Sequence, residues 1–175
     1  MRKISSVLIL IFTLSISVTM AQIQSADKKI ATAKVKSLDG KFISTDSIEN
    51  GDKPMIISFW ATWCKPCVAE LTAINDEYKD WQSETGVKLV AISIDDARTM
   101  NSVAPFVNGK NWDYEVYLDP NSEFRRSMNV NMVPHTFLVN GKREIVQQHT
   151  SFVPGDEEKL YELVKKVAAG QSISE

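Results

Sequence analysis

Cys64 and Cys67 are the only cysteines in this 175-residue chain. Two residues separate them in Phe59-Trp60-Ala61-Thr62-Trp63-Cys64-Lys65-Pro66-Cys67, between an apolar run and the start of an amphipathic one. Sulfurs spaced this way can close into a small disulfide and reopen. At the start of a helix, the dipole and the unpaired backbone N–H groups also favour a thiolate. Three readings follow: a redox dithiol, a structural staple, or part of a metal site. Loop closure weighs against the staple, because the chain-entropy model gives so short a loop about 2 kcal/mol, against about 4.7 kcal/mol for a 100-residue loop. A soft metal could take both sulfurs with His135 or His149. Those two histidines, however, lack the tight spacing of a structural zinc site.

Other residues near the pair have chemistry to offer. Pro66 falls in the first helical turn, where a missing N–H costs nothing and a fixed φ holds the loop. Glu70 is three residues past Cys67, one turn on and on the same side of the helix. It is either a proton acceptor for that thiol or a solvated surface acid. Lys65 favours a thiolate electrostatically, but an exposed charge is worth roughly 0.2 to 1 kcal/mol. For a two-electron couple that is on the order of 5 to 20 mV, within a spread of about 150 mV among proteins of this chemistry. Lys65 therefore does not set the direction of electron flow.

The elements that must hold the pair are readable around it. Met55 to Trp60 is a near-continuous apolar run, as in a strand covered on both faces. Leu71, Ile74, Tyr78 and Trp81 form the stripe of a helix packed on a sheet, and Gly86 is placed to stop it. Val87 to Ile94 reads as a second buried strand. The cysteines thus occupy the first connection of a strand, helix, strand unit, at the carboxyl edge where α/β sheets place their reactive sites. Upstream, 34–37 and 41–44 flank Leu38-Asp39-Gly40, a hairpin signal. Downstream, Asp95-Asp96 can cap a helix reaching Asn108, with Pro105 expected to kink it. Tyr114 to Leu118 reads as a strand, and Asp119-Pro120 opens a short helix ending near Met128. Residues 135–139 and 144–147 flank Asn140-Gly141, a type I′ hairpin signal. Asp156 caps a last helix with Leu160, Leu163, Val164 and Val167 on one face, closed by Gly170.

The N-terminus reads as a targeting segment. Arg2 and Lys3 precede the apolar stretch from Val7 to Phe12, which runs with interruptions to Val18, and Thr19-Met20-Ala21 offers a small-residue cleavage site. A retained membrane anchor is the alternative. The expected organisation is a signal at 1–21, a flexible leader at 22–33, one domain at 34–170 and a tail at 171–175. Loss of residues 1–21 removes two positive charges, taking the formal net charge from −2 to −4. That balance, with no basic cluster, argues against a nucleic-acid partner or a lipid-binding surface. About 150 residues can bury a core without disulfide support, and export explains a cysteine pair that is oxidised or kept reduced by a dedicated partner.

The whole order of elements, with Trp63-Cys64-Lys65-Pro66-Cys67 early and Val133-Pro134-His135-Thr136 late, resembles the thioredoxin fold. More narrowly it is similar to the exported TlpA/ResA-like thiol-disulfide oxidoreductases, over residues 34–168. The signal, the hairpin at Asp39-Gly40, Glu70 and the added helix and strand between about 96 and 118 carry that narrower likeness. It implies an α/β fold with a central mixed sheet flanked by helices, an N-terminal β-hairpin and an inserted helix-strand unit.

By the same resemblance Cys64 is the attacking and Cys67 the resolving cysteine of a redox disulfide. Pro134 is a cis proline beside them, which lets Val133 hydrogen-bond a substrate peptide and keeps metal ligands off the sulfurs; Trp63 offers an aromatic docking surface. Glu70 matches the branch's glutamate. Ser58 replaces the buried aspartate of cytoplasmic thioredoxins, and His135, where threonine is common, is a candidate for tuning Cys64. The resemblance implies an extracytoplasmic, periplasmic protein-disulfide reductase without cofactor or resident metal, acting as a monomer. Its electrons would come from a membrane-bound donor, and apocytochrome c is one candidate substrate. Three other classes compete: a peroxidase, which would need a peroxidatic cysteine in a loop of different spacing; a copper or zinc chaperone using Cys64, Cys67 and His135; and a non-catalytic binding module built around Trp63.

Overall fold

The computed structural model describes residues 29–173. The most apolar run becomes the central strand: β3 (Met55–Trp60) is buried at all six positions. It pairs in parallel with β4 (Lys88–Ser93) and antiparallel with β6 (His135–Val139). Outward on one side come β5 (Glu115–Leu118), β1 (Lys34–Ser37) and β2 (Phe42–Ser44), and on the other side β7 (Ile145–Thr150), giving the mixed order β2-β1-β5-β4-β3-β6-β7.

The connection from β3 to β4 is α1 (Lys65–Thr85), whose stripe of Leu71, Ile74, Tyr78 and Trp81 is buried as its spacing predicts. Gly86 ends the helix in the left-handed conformation, φ 68°, with its N–H on the Gln82 carbonyl. Such a stop is cheapest for glycine. Trp81 stacks on Tyr161 of α4 (Asp156–Ala168), with ring centroids 4.7 Å apart. On the opposite face of β3, Phe59 packs at 5.1 Å on Phe124 of α3 (Glu123–Ser127). Helices therefore cover both faces, and alternate β3 side chains enter two separate packing layers.

Three expectations change. Asp95 and Asp96 do not open a long helix: the Asp96 carbonyl takes the N–H groups of Thr99 and Met100, a 3₁₀ turn follows, and α2 spans Val103–Lys110. Pro105 falls in the first turn of α2, where it needs no N–H and makes no kink. Gly109 lies inside α2, and Asn111, at φ 53°, provides the left-handed stop.

The β6–β7 connection is not a two-residue turn either. Asn140 N–H bonds the Glu144 carbonyl, so the loop is Gly141-Lys142-Arg143, with Arg143 at φ 63°. Gly141 is needed for space, because a Cβ there would run into the Asp52 backbone carbonyl. Gly141→Ala should lower stability by about 1 to 3 kcal/mol through overpacking. The expected readout is a lower urea midpoint with an unchanged m-value.

The third change is at the N-terminus. The Ile30 N–H bonds the Arg143 carbonyl, and Ala33 and Thr45 bond each other's chain. Residues 29–33, placed in the expected leader, are thus tied to the domain, although nothing in their polar, aperiodic sequence signals it. The signal expected at 1–21 lies outside the described residues. Among the described residues no helix is long and apolar enough to cross a membrane.

Candidate active site

β3 ends at Trp60 and delivers the chain to Ala61-Thr62-Trp63, with Cys64 as the N-cap residue of α1. The loop is held from below. Thr62 donates from its N–H (2.9 Å) and its hydroxyl (2.6 Å) to the carboxylate of Asp95, which also accepts the Ser93 hydroxyl at 2.8 Å. This anchoring is why Asp95 does not start a helix. Cys64 and Cys67 are joined as a disulfide, with Cα atoms 5.3 Å apart. Cys64 keeps 6% of its surface exposed and Cys67 none. The asymmetry follows from position: Cys64 caps the helix, while Cys67 points inward from its first turn.

Strand register builds the layer under α1. Ser58 of β3 lies opposite Thr136 of β6, and Thr136 lies opposite His149 of β7. Directly opposed residues share a face, so the three form a row across the sheet. Glu70 of α1 descends onto that row and is 1% exposed. Its Oε1 accepts the Thr136 hydroxyl at 2.8 Å and lies 2.8 Å from Nε2 of His149. A carboxylate only accepts, so the one Thr136 proton goes to Glu70, and the Ser58 hydroxyl, 2.9 Å from that of Thr136, donates to it. Oε2 of Glu70 is buried with no hydrogen-bond partner among the described residues. Burial pushes the nearby Tyr114 phenol well above its usual range, and the Glu70 charge adds to the effect.

Pro134 is buried at the start of β6, beside the carboxyl end of β3, and the Val133–Pro134 peptide is cis. The Pro134 carbonyl accepts the Ser151 N–H at 3.2 Å, which fixes the loop after β7. Three large apolar side chains stand exposed on three segments at this end: Trp63 at 60%, Met132 at 58% and Val153 at 60%.

Residues 26–148 match the AhpC/TSA family. The chain is 30% identical over 135 residues to the thiol-disulfide oxidoreductase ResA of Bacillus thuringiensis subsp. konkukian, covering 76% of this chain and 73% of the relative. The chain belongs to the ResA-like thiol-disulfide oxidoreductases. A solution structure of a thioredoxin-like protein from Porphyromonas gingivalis is 45% identical, with TM-score 0.72, covering 80% of this oxidoreductase and 92% of that chain. StoA from Bacillus subtilis is 26% identical, with TM-score 0.60, over 76% and 97% of the two chains. The thioredoxin-like architecture, the mixed sheet with its added hairpin and helix-strand unit, and the closely spaced cysteine pair are those of this group.

Within the oxidoreductase the residues singled out by sequence separate into two faces. Glu70 joins the layer under α1. His135 pairs with Phe59 and turns to the other face, stacking on Phe137 at 4.3 Å with Nε2 3.0 Å from the Gln148 side chain. Burial pushes the His135 imidazole below its usual range, so it is uncharged at neutral pH and offers a thiolate no cation. Among the described residues no group of three His, Cys, Asp or Glu side chains is arranged to hold a metal ion. Lys65 and Pro66 are exposed in the first turn of α1. Sequence reasoning missed Thr136 and Asp95 as parts of the site and considered His149 only as a metal ligand. Each is brought in by pairing across strands or loops, and the one available signal was the alternation of β7, which puts His149 on the inward face.

Proposed function

We propose that this oxidoreductase reduces protein disulfides outside the cytoplasm. The supporting observation is the asymmetry of the pair: Cys64 keeps 6% of its surface exposed and Cys67 none, and Cys67 lies one helical turn before the buried carboxylate of Glu70. Cys64 thiolate attacks a substrate disulfide, forming a mixed disulfide and expelling one substrate thiolate. Cys67 then gives its proton to Glu70 and attacks the Cys64 sulfur, releasing the second substrate thiol. Two electrons pass from the dithiol to the substrate, and a membrane-bound dithiol donor restores the reduced pair. Trp63, Val133 and Pro134 receive the substrate chain, Lys65 and Pro66 shape the first turn, and His135 stays a packing residue. The targeting segment at 1–21 supports a periplasmic site, with apocytochrome c as one candidate substrate.

Equilibration of Cys64 and Cys67 against glutathione mixtures tests the direction. A reversible potential near the −270 mV of thioredoxin is expected for a reductase. A value near the −120 mV of DsbA would instead make the protein an oxidant.

A further inference from the structure

Glu70 has two hydrogen-bonding neighbours among the described residues, Thr136 and His149. Thr136 is 1% exposed and leads only to Ser58, which is wholly buried. His149 keeps 32% of its side chain exposed while touching a carboxylate that is 1% exposed. A proton arriving on Glu70 therefore has a single exit to water through these contacts.

We propose that His149 is the positioning residue that holds Glu70 for resolution and carries the Cys67 proton out to solvent. This rests on Glu70 being the acceptor for Cys67. The orphaned Oε2 is the receiving atom: while the sulfurs are bonded no thiol proton exists to reach it, and reduction creates one on the same side of α1. As Cys67 loses its proton to Oε2, the Glu70 charge that paired with the imidazolium across the 2.8 Å Oε1–Nε2 contact is neutralised. The ring then releases a proton to water. The Cys67 thiolate attacks the Cys64 sulfur, the bond from Cys64 to the substrate breaks, and the departing substrate sulfur takes up a proton from solvent. When the dithiol is restored, the path runs in reverse and returns a proton to Cys67.

Other charged groups surround the imidazole without replacing it. His135 on β6 senses its charge and is neutral. Asp156, at the start of α4, feels the same charge but is held by Lys159 at 2.9 Å. Tyr114 lies near Glu70 with its phenol kept protonated by burial. Among these, His149 is the one group that both touches Glu70 and is open to solvent.

The test is single-turnover kinetics on the full chain, with Cys64 carrying glutathione as a mixed disulfide and glutathione release followed against pH. His149→Gln can still donate to Glu70 but cannot pass a proton on. It should slow release by up to about 100-fold, the lower end for a positioned acid–base group, while leaving the first attack by Cys64 unchanged. His149→Ala should be slow too and should recover with added imidazole, a rescue that a purely structural role would not produce. Release at the wild-type rate in His149→Gln, with Glu70→Gln slow, overturns the role of His149 and leaves Glu70 standing. Wild-type release in Glu70→Gln overturns both. Failure of imidazole to rescue His149→Ala also overturns proton carriage, provided the urea midpoint shows the variant folded.

Discussion

Cys64→Ser should reduce no insulin above the uncatalysed rate, because the sulfur that opens the substrate disulfide is gone. Cys67→Ser should behave differently. Its Cys64 attacks normally, releases one equivalent of substrate thiol and stops as a stable mixed disulfide visible by mass. The contrast follows from exposure, since the N-cap Cys64 keeps 6% of its surface exposed and Cys67 keeps none. Equal behaviour of the two variants, or insulin turnover surviving Cys64→Ser, would remove the assigned order of attack.

Glu70→Gln should slow resolution of the mixed disulfide about 100-fold at neutral pH, the lower end of what a positioned acid–base group contributes. Glutamine occupies nearly the same volume and keeps an oxygen for the Thr136 hydroxyl, so the packing of α1 on the sheet is retained. It cannot take a proton. Hydroxide must then remove the Cys67 proton, and the rate should rise tenfold per pH unit, where the wild type rises less steeply. Stability should change little, because an amide replaces a buried charge whose desolvation offsets much of its pairing energy. Alkylation of both thiols followed against pH checks the assignment, and unchanged titration of Cys64 and Cys67 would sink it.

Much of the frame was legible because its signals are local. The apolar run at 55–60, the stripe on α1 and the Gly86 stop each depend on neighbours along the chain, and they place the cysteines at the carboxyl edge before any tertiary contact is known. Where sequence reading went wrong, a distant contact had overridden a local preference. Asp95 looks like a helix cap, but it is taken by Thr62 thirty-three residues away. Asn140-Gly141 looks like a two-residue turn, but the glycine is there to admit the Asp52 carbonyl. The polar layer of the site was hidden for the same reason: Ser58, Thr136 and His149 meet only through the registers of β3 with β6 and β6 with β7. A one-residue slip in either pairing would send half of that row to the opposite face.

Trp63, Met132 and Val153 sit on the β3–α1 loop, the segment before Pro134 and the loop after β7, and none of them belongs to the polar row beneath α1. Under the proposed function, with these side chains meeting the substrate, partner choice and redox chemistry fall on separable parts of the chain. Exchanging the three exposed side chains should redirect the enzyme to new clients while its proton handling stays as it is. Lineages sharing one electron supply could diversify their targets by loop substitution alone.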